Sequence, residues 1–212
     1  MDTPAPPVDA LDQLVVVSYH TDDAFYREHA AQFQAALKQN GIPNIVMEVP
    51  RQGRSWPELC ALKAHYLLSL RLGFRHPILW VDIDGRIQIS YDNLRAELRR
   101  VVRPNTDLAV FRNRKDGAKM FAKVNSELMS GTMLFMDTQA ASRVIYLWTK
   151  LLGKKRYQYE QDALAEVLNV HDSTVIADLH PSLICVPDLM PGVEPLILHT
   201  QASRDPRSGC QR

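Results

Sequence analysis

Asp82 and Asp84 flank Ile83 at the point where an apolar run, Ile78 to Val81, gives way to Gly85. Residues two apart on a strand point to the same face, so both carboxylates can converge on one cation. Carboxylate oxygens suit a hard divalent ion, and such an ion can neutralise the charge left on a departing diphosphate. The same Asp84-Gly85 step can also be a simple strand-end turn. Four apolar residues before Asp82 favour the chemical reading, because burying a strand beside two carboxylates needs a compensating partner.

The elements around this pair alternate between the two periodicities. Leu14 to Ser18 reads as a buried strand. Asp22 to Gln39 carries Phe25, Ala30, Phe33, Ala36 and Leu37 at helical spacing, stopped by Asn40 and Gly41. A second strand is expected at Ile42 to Val49, then a helix through Leu59, Leu62, Tyr66, Leu67 and Leu70 that ends at Gly73. The acidic pair closes the next strand. Beyond it the pattern predicts a helix around Leu94 to Val101, a strand at Leu108 to Arg112 and a buried strand in GTMLFMD. Helices at Gln139 to Leu152 and Tyr159 to Leu168 follow, with strands at Thr174 to Ala177, Leu183 to Val186 and Leu196 to His199. Such alternation implies an α/β fold with a mostly parallel sheet covered by helices on both faces. Ligands then sit outside the carboxyl ends of the strands.

A chain of 212 residues is read as one domain, with residues 1–12 and 203–212 expected to be flexible. No apolar run approaches the roughly 20 residues that span a bilayer. The acidic, proline-rich start does not read as a signal peptide, and a cytoplasmic location is expected. Cys60, Cys185 and Cys210 are an odd, widely spaced set, expected to be free thiols. Net charge is only +1, which argues against indiscriminate binding of polyanions. A basic stretch nevertheless holds Arg95, Arg99, Arg100, Arg103, Arg112, Arg114, Lys115, Lys119 and Lys123, opposed by Glu97, Asp107 and Asp116. Lys150, Lys154, Lys155 and Arg156 form a second knot. Both fit solvated faces; the alternative is an anionic acceptor, nucleic acid included.

The segment ILWVDIDGRI resembles the DxD strand of GT-A glycosyltransferases, the nucleotide-diphospho-sugar transferase superfamily. LVVVSYHTDD is similar to that family's first strand and nucleotide-facing loop, and ELMSGTMLFMDT to the strand under the donor sugar. YEQDALAEVL resembles the following helix with its Gln-Asp pair, and LILHT the closing strand. The resemblance implies a GT-A-like, Rossmann-related sandwich and transfer of a sugar from a UDP- or GDP-sugar to a hydroxyl, with Mn2+ or Mg2+ as cofactor. It implies metal ligation by Asp82, Asp84 and His199, and base and ribose contacts from Tyr19, His20 and Thr21. Lys63 would face the nucleotide or its phosphates, and Ser130 and Gly131 the donor sugar. Gln161 and Asp162 would position the transferred sugar, while Arg204 and Arg207 would close over the diphosphate. The glycine and lysine that the family carries after its histidine are absent. The resemblance leans toward a retaining reaction. Its acceptor is open: a glycan or, as a minority option, a hydroxylated base in modified DNA, flipped out or single-stranded.

DIDG also resembles the signature of haloacid-dehalogenase-like phosphatases, with Asp82 as nucleophile and Asp84 as general acid on magnesium. That family carries the motif on its first strand, with an acidic pair downstream, and neither feature is present here. A nucleotide-binding module without turnover is the non-enzymatic alternative.

Overall fold

The computed structural model describes residues 8–114, 118–124, 127–154, 159–171 and 173–208. Six strands form one sheet in the order β2-β1-β3-β6-β5-β7: β1 is Val15–Thr21, β2 Asn44–Val49, β3 Ile78–Val81, β5 Leu108–Arg112, β6 Leu128–Phe135 and β7 Ile176–Asp178. The helices are α1 (Ala24–Gln39), α2 (Trp56–Gly73), α3 (Tyr91–Val101), α4 (Gln139–Lys154) and α5 (Glu160–Val170). This is the expected α/β sandwich.

Alternation along the strands sorts the core into two layers. Leu79 and Val81 of β3 pack with Phe33 and Leu37 of α1 and with Leu94 and Leu98 of α3. Ile78 and Trp80 of the same strand face the other way, against Leu67 of α2, Trp148 of α4 and Leu164 of α5. The first two helices start where the sequence provides a cap. Asp23 accepts from the Tyr26 amide at 3.0 Å at the head of α1, and Glu58 accepts from the Ser55 amide at 2.8 Å at the head of α2.

Strand β6 runs antiparallel to both β3 and β5, within the expected mostly parallel sheet. Three features depart from the sequence expectation. A second, two-stranded sheet pairs β4 (Gly85–Ile87) with β8 (Ile197–His199). The strand expected at Leu183 to Val186 is instead a 3-10 turn, Pro181–Ile184, after which Cys185 makes one isolated bridge to Leu198; Pro181 lacks the amide a ladder needs. The ends expected to be flexible are partly folded: Val8–Gln13 is a 3-10 helix with Leu11 fully buried, and Ser208 is 1% exposed. Residues 1–7 and 209–212, with Cys210, lie outside the described residues. Cys60 and Cys185 are free thiols. Among the described residues no helix is long and apolar enough to cross a membrane.

Candidate active site

The carboxyl ends of β1 and β3 open into a cavity of about 380 Å³, and the antiparallel β6 brings its first residues to the same edge. Asp82 lies at its floor. The Asp82 amide donates to the Gly131 carbonyl at 2.8 Å, which ties the acidic turn to β6. Its Oδ1 accepts from Trp80 Nε1 at 2.7 Å and faces Lys63 Nζ at 2.9 Å.

Lys63 is buried, not the solvated helix lysine that its type alone suggests. Its ammonium also meets Glu160 Oε1 at 2.8 Å and donates to the Ser130 carbonyl and hydroxyl at 3.1 and 3.2 Å. Ser130 Oγ donates to the same Glu160 oxygen at 2.6 Å. Burial alone would lower the Lys63 ammonium, but Asp82 and Glu160 reverse this and hold it well above the ordinary lysine value. Burial likewise pushes the Glu160 carboxyl up, and Lys63 overrides that and holds it below its ordinary value. Asp82 goes the other way: burial raises it, and Lys63 offsets that only in part.

Asp84 lies across from this network. Its Oδ2 accepts from the Ala202 amide at 2.9 Å, and its Oδ1 stands 3.7 Å from His199 Nδ1. Burial would raise this carboxyl, but His199 and the Ala202 amide lower it. Thr132 Oγ1 lies 2.9 Å from His199 Nε2 and orients the ring. His199 faces Gly85 across the β4–β8 pair, which explains why the small second sheet matters to the site. Two glycines leave the room. A Cβ on Gly131 would come within 3.1 Å of His199 Cε1, 3.2 Å of its Nδ1 and 3.6 Å of Asp82 Oδ2. On Gly85 it would sit 2.5 Å from Val81 Cγ1 and 3.0 Å from the Asp82 carbonyl. Gly85→Ala is therefore expected to destabilise the fold by about 1–3 kcal/mol through overpacking, read as a lower urea midpoint at unchanged slope.

Asp82 and His199 thus flank Gly131, and Asp84 joins them through His199. Among the described residues, however, no group of three or more His, Cys, Asp and Glu is close enough to hold a metal ion as it stands.

Tyr19, His20 and Thr21 line the cavity at the end of β1, as do Lys63, Ser130, Gly131, Gln161, His199 and Arg204. Tyr19 donates to the Leu59 carbonyl and packs on Trp80 with ring centroids 5.4 Å apart. Asp162 is exposed and stands outside the cavity lining, whereas Glu160 is buried at its floor. Helical spacing holds the reason: Glu160, Ala163, Leu164 and Val167 are the buried positions of α5, an i, i+3, i+4, i+7 set. Asp162 falls off that stripe. The same reading would have found Lys63, four residues from both Leu59 and Leu67 on the buried face of α2.

Trp56 and Tyr26, which no sequence motif marked, also line the cavity, with rings stacked at 17° and 6.3 Å. Arg207 does not face the cavity; it pairs with Asp205 at 2.7 Å and lies over Phe25. Two residues after His199, Gln201 takes the left-handed backbone at φ 54°.

Four arginines of the basic stretch are paired. Arg95 and Arg99 pair with Asp12, Arg100 with Glu97 and Arg112 with Asp178. Lys150 of the second knot lies over the Tyr146 ring. Lys115, Asp116, Lys155 and Arg156 lie outside the described residues.

The fold matches that of solved glycosyltransferases. A glycosyltransferase involved in glycosylation of the major capsid of PBCV-1 superposes with a TM-score of 0.64 at 14% identity, covering 89% of this chain and 92% of that one. Mouse xyloside xylosyltransferase 1 gives 0.52 at 10% identity over 89% and 97%. The glycosyltransferase GlyE of Streptococcus pneumoniae TIGR4 gives 0.55 at 12% identity, over 90% of this chain but 56% of its own. No protein-family model matches the sequence, and no curated protein matches it.

Proposed function

We propose that the chain is a single-domain, cytoplasmic glycosyltransferase that moves a sugar from a UDP- or GDP-sugar to a hydroxyl acceptor with the help of a divalent ion. The observation that carries this reading is the placement of Asp82, Asp84 and His199 in one cavity wall, with Asp82 and His199 on the space left open by Gly131 and Asp84 3.7 Å from the histidine, beside an aromatic-lined slot. Two carboxylates and an imidazole are a donor set that suits Mn2+ or Mg2+, and Gly131 keeps the gap between them clear of side-chain atoms. An ion bound there would neutralise charge on the departing nucleoside diphosphate.

The protein groups divide the remaining work. Trp56 and Tyr26 offer faces for the base, with Tyr19, His20 and Thr21 at the ribose. Lys63 holds Asp82 and Glu160 in fixed orientation, so the site is organised before substrate arrives. Gln161 and Glu160, rather than the exposed Asp162, face the transferred sugar. Arg204 approaches the diphosphate from the tail. The lean of the resemblance toward retention of configuration is kept. The capsid-glycosylation role of one neighbour and the ion pairs of Arg95, Arg99, Arg100 and Arg112 both support a glycan acceptor over DNA.

The test is a thermal-shift series with UDP- and GDP-sugars, with and without Mn2+. A ligand present at one hundred times its dissociation constant stabilises the native state by about 2.7 kcal/mol. One donor plus Mn2+ is expected to raise the melting point, and Asp82→Ala and Asp84→Ala are expected to lose the Mn2+-dependent part. If no nucleotide-sugar shifts the transition, or both variants keep the Mn2+ response, the reading fails. Turnover of a generic phosphoester would favour the phosphatase instead.

A further inference from the structure

Lys123 and Val124 reach the cavity from the segment between β5 and β6, and one buried side chain holds that segment in shape. Asn113 is 1% exposed. Its Nδ2 donates to the carbonyls of Phe121 at 2.9 Å and Val124 at 3.0 Å, and its Oδ1 accepts from the Phe121 amide at 2.8 Å. Its backbone adds a donation to the Glu127 carbonyl at 2.7 Å. A buried amide satisfied by the residues on either side of Lys123 fixes where that side chain leaves the backbone.

The place it leaves from is far from the nucleotide side. Tyr19, Thr21, Tyr26 and Trp56 belong to β1, α1 and α2, whereas Lys123 hangs from β5 and β6. In the sheet order β3 and β6 stand between β1 and β5, three steps of about 4.8 Å each. Beyond the acidic turn the lining becomes aliphatic, with Val124 and Met129 joined by Ile184 and Val186.

The charges there are uneven. Lys63 is committed to Asp82 and Glu160. Lys123 is exposed, lines the cavity and forms no ion pair among the described residues. Arg204, the other cation of the lining besides Lys63, belongs to the C-terminal tail, and Arg95, Arg99, Arg100 and Arg112 are paired elsewhere, so on the β5–β6 side the lining offers Lys123 alone and not a track for a polyanion. We propose that Lys123 reads a single anionic substituent, a carboxylate or a phosphate, on the acceptor saccharide, and that Asn113 is the positioning residue that aims it.

This inference rests on the donor reading above, and its test separates the two. Acceptor-stimulated release of nucleoside diphosphate is measured with methyl hexosides, methyl hexuronides and methyl hexoside 6-phosphates in the gluco and galacto series. The donor is the nucleotide-sugar that stabilises the wild-type chain. One anionic member is expected to be used with a kcat/KM about tenfold above its neutral partner, the size of one charge-assisted contact at a partly wet rim. Preference for the hexuronide identifies a carboxylate; preference for the 6-phosphate identifies a phosphate. Lys123→Ala should bring the anionic acceptor down to the neutral level through its acceptor KM, and Lys123→Arg should restore the preference. Asn113→Asp, which removes the two amide donations, should lower the same ratio. Because Asn113 is buried and its variant can fail to fold, the two Lys123 variants at the surface decide the matter. Equal use of neutral and anionic acceptors, stimulation by neither, or a Lys123→Ala defect in the donor KM overturns the proposal. If the wild-type chain binds no nucleotide-sugar at all, the donor reading falls and takes this one with it.

Discussion

Lys63→Met is expected to destabilise the fold by about 3–5 kcal/mol, the range for removing one partner of a buried ion pair. The ammonium is 5% exposed and joins Glu160, 8% exposed, to Asp82. Methionine fills much of the volume, so the loss reports charge rather than a cavity. Without Lys63, only the Ser130 and backbone hydrogen bonds are left to oppose the burial of Glu160; burial is expected to win and raise its pKa, so the native variant binds protons that the unfolded chain has released. Stability of the variant should therefore fall as pH rises through the raised value. In the wild-type chain Glu160 is lowered, so its contribution is present above the ordinary carboxylate range and fades as pH falls through the folded value. Opposite signs of the two pH slopes in urea titrations would establish the pair. Lys63→Met combined with Glu160→Gln should recover much of the stability, since an uncharged pair is tolerated better than a stranded carboxylate. Activity should not return with it, because Asp82 has lost the cation that holds its Oδ1. Full recovery of activity in the double variant would reduce Lys63 to a purely structural residue.

How far the sequence reveals this site depends on the distance over which each contact is made. The β3 strand and its acidic end are local: four apolar residues, then Asp-Ile-Asp-Gly, specify a buried strand that stops at a polar turn. All five helices follow from periodicity in the same way. The Lys63–Glu160 pair joins residues 97 apart in the chain, and no local pattern announces a partner at that range. Its two members are individually visible, since each occupies an inward position of its own helix. The choice of Asp162 over Glu160 came from matching a Gln-Asp motif instead of tracing the apolar stripe of α5. Strand β4 is only Gly85-Arg86-Ile87, too short to show alternation, and its pairing with β8 is set by tertiary contact. The direction of β6 was equally hidden: a strand buried on both faces reads the same in either sense.

Gly131→Ala is expected to weaken Mn2+ binding by about 10–100-fold, the loss typical when the surroundings of metal ligands are disturbed. The added methyl would press to 3.1 Å on the His199 ring and 3.6 Å on Asp82 Oδ2, in the space between two of the proposed ligands. The ring can yield only by moving away from Asp84 or by giving up its contact with Thr132. Either movement spoils the donor set while leaving the hydrophobic layers on both faces of the sheet untouched. Gly153→Ala provides the contrast, because an added Cβ there meets nothing within 4 Å. In a helix it should stabilise by about 0.4–1 kcal/mol and leave Mn2+ affinity where it was. Isothermal titration of Mn2+ in the presence of a nucleoside diphosphate reads the affinities directly, and circular dichroism verifies that both variants fold. If Gly131→Ala bound Mn2+ as tightly as the wild-type chain, the gap beside His199 would be ordinary strand packing, and Asp82 and Asp84 would have to hold any ion without the histidine.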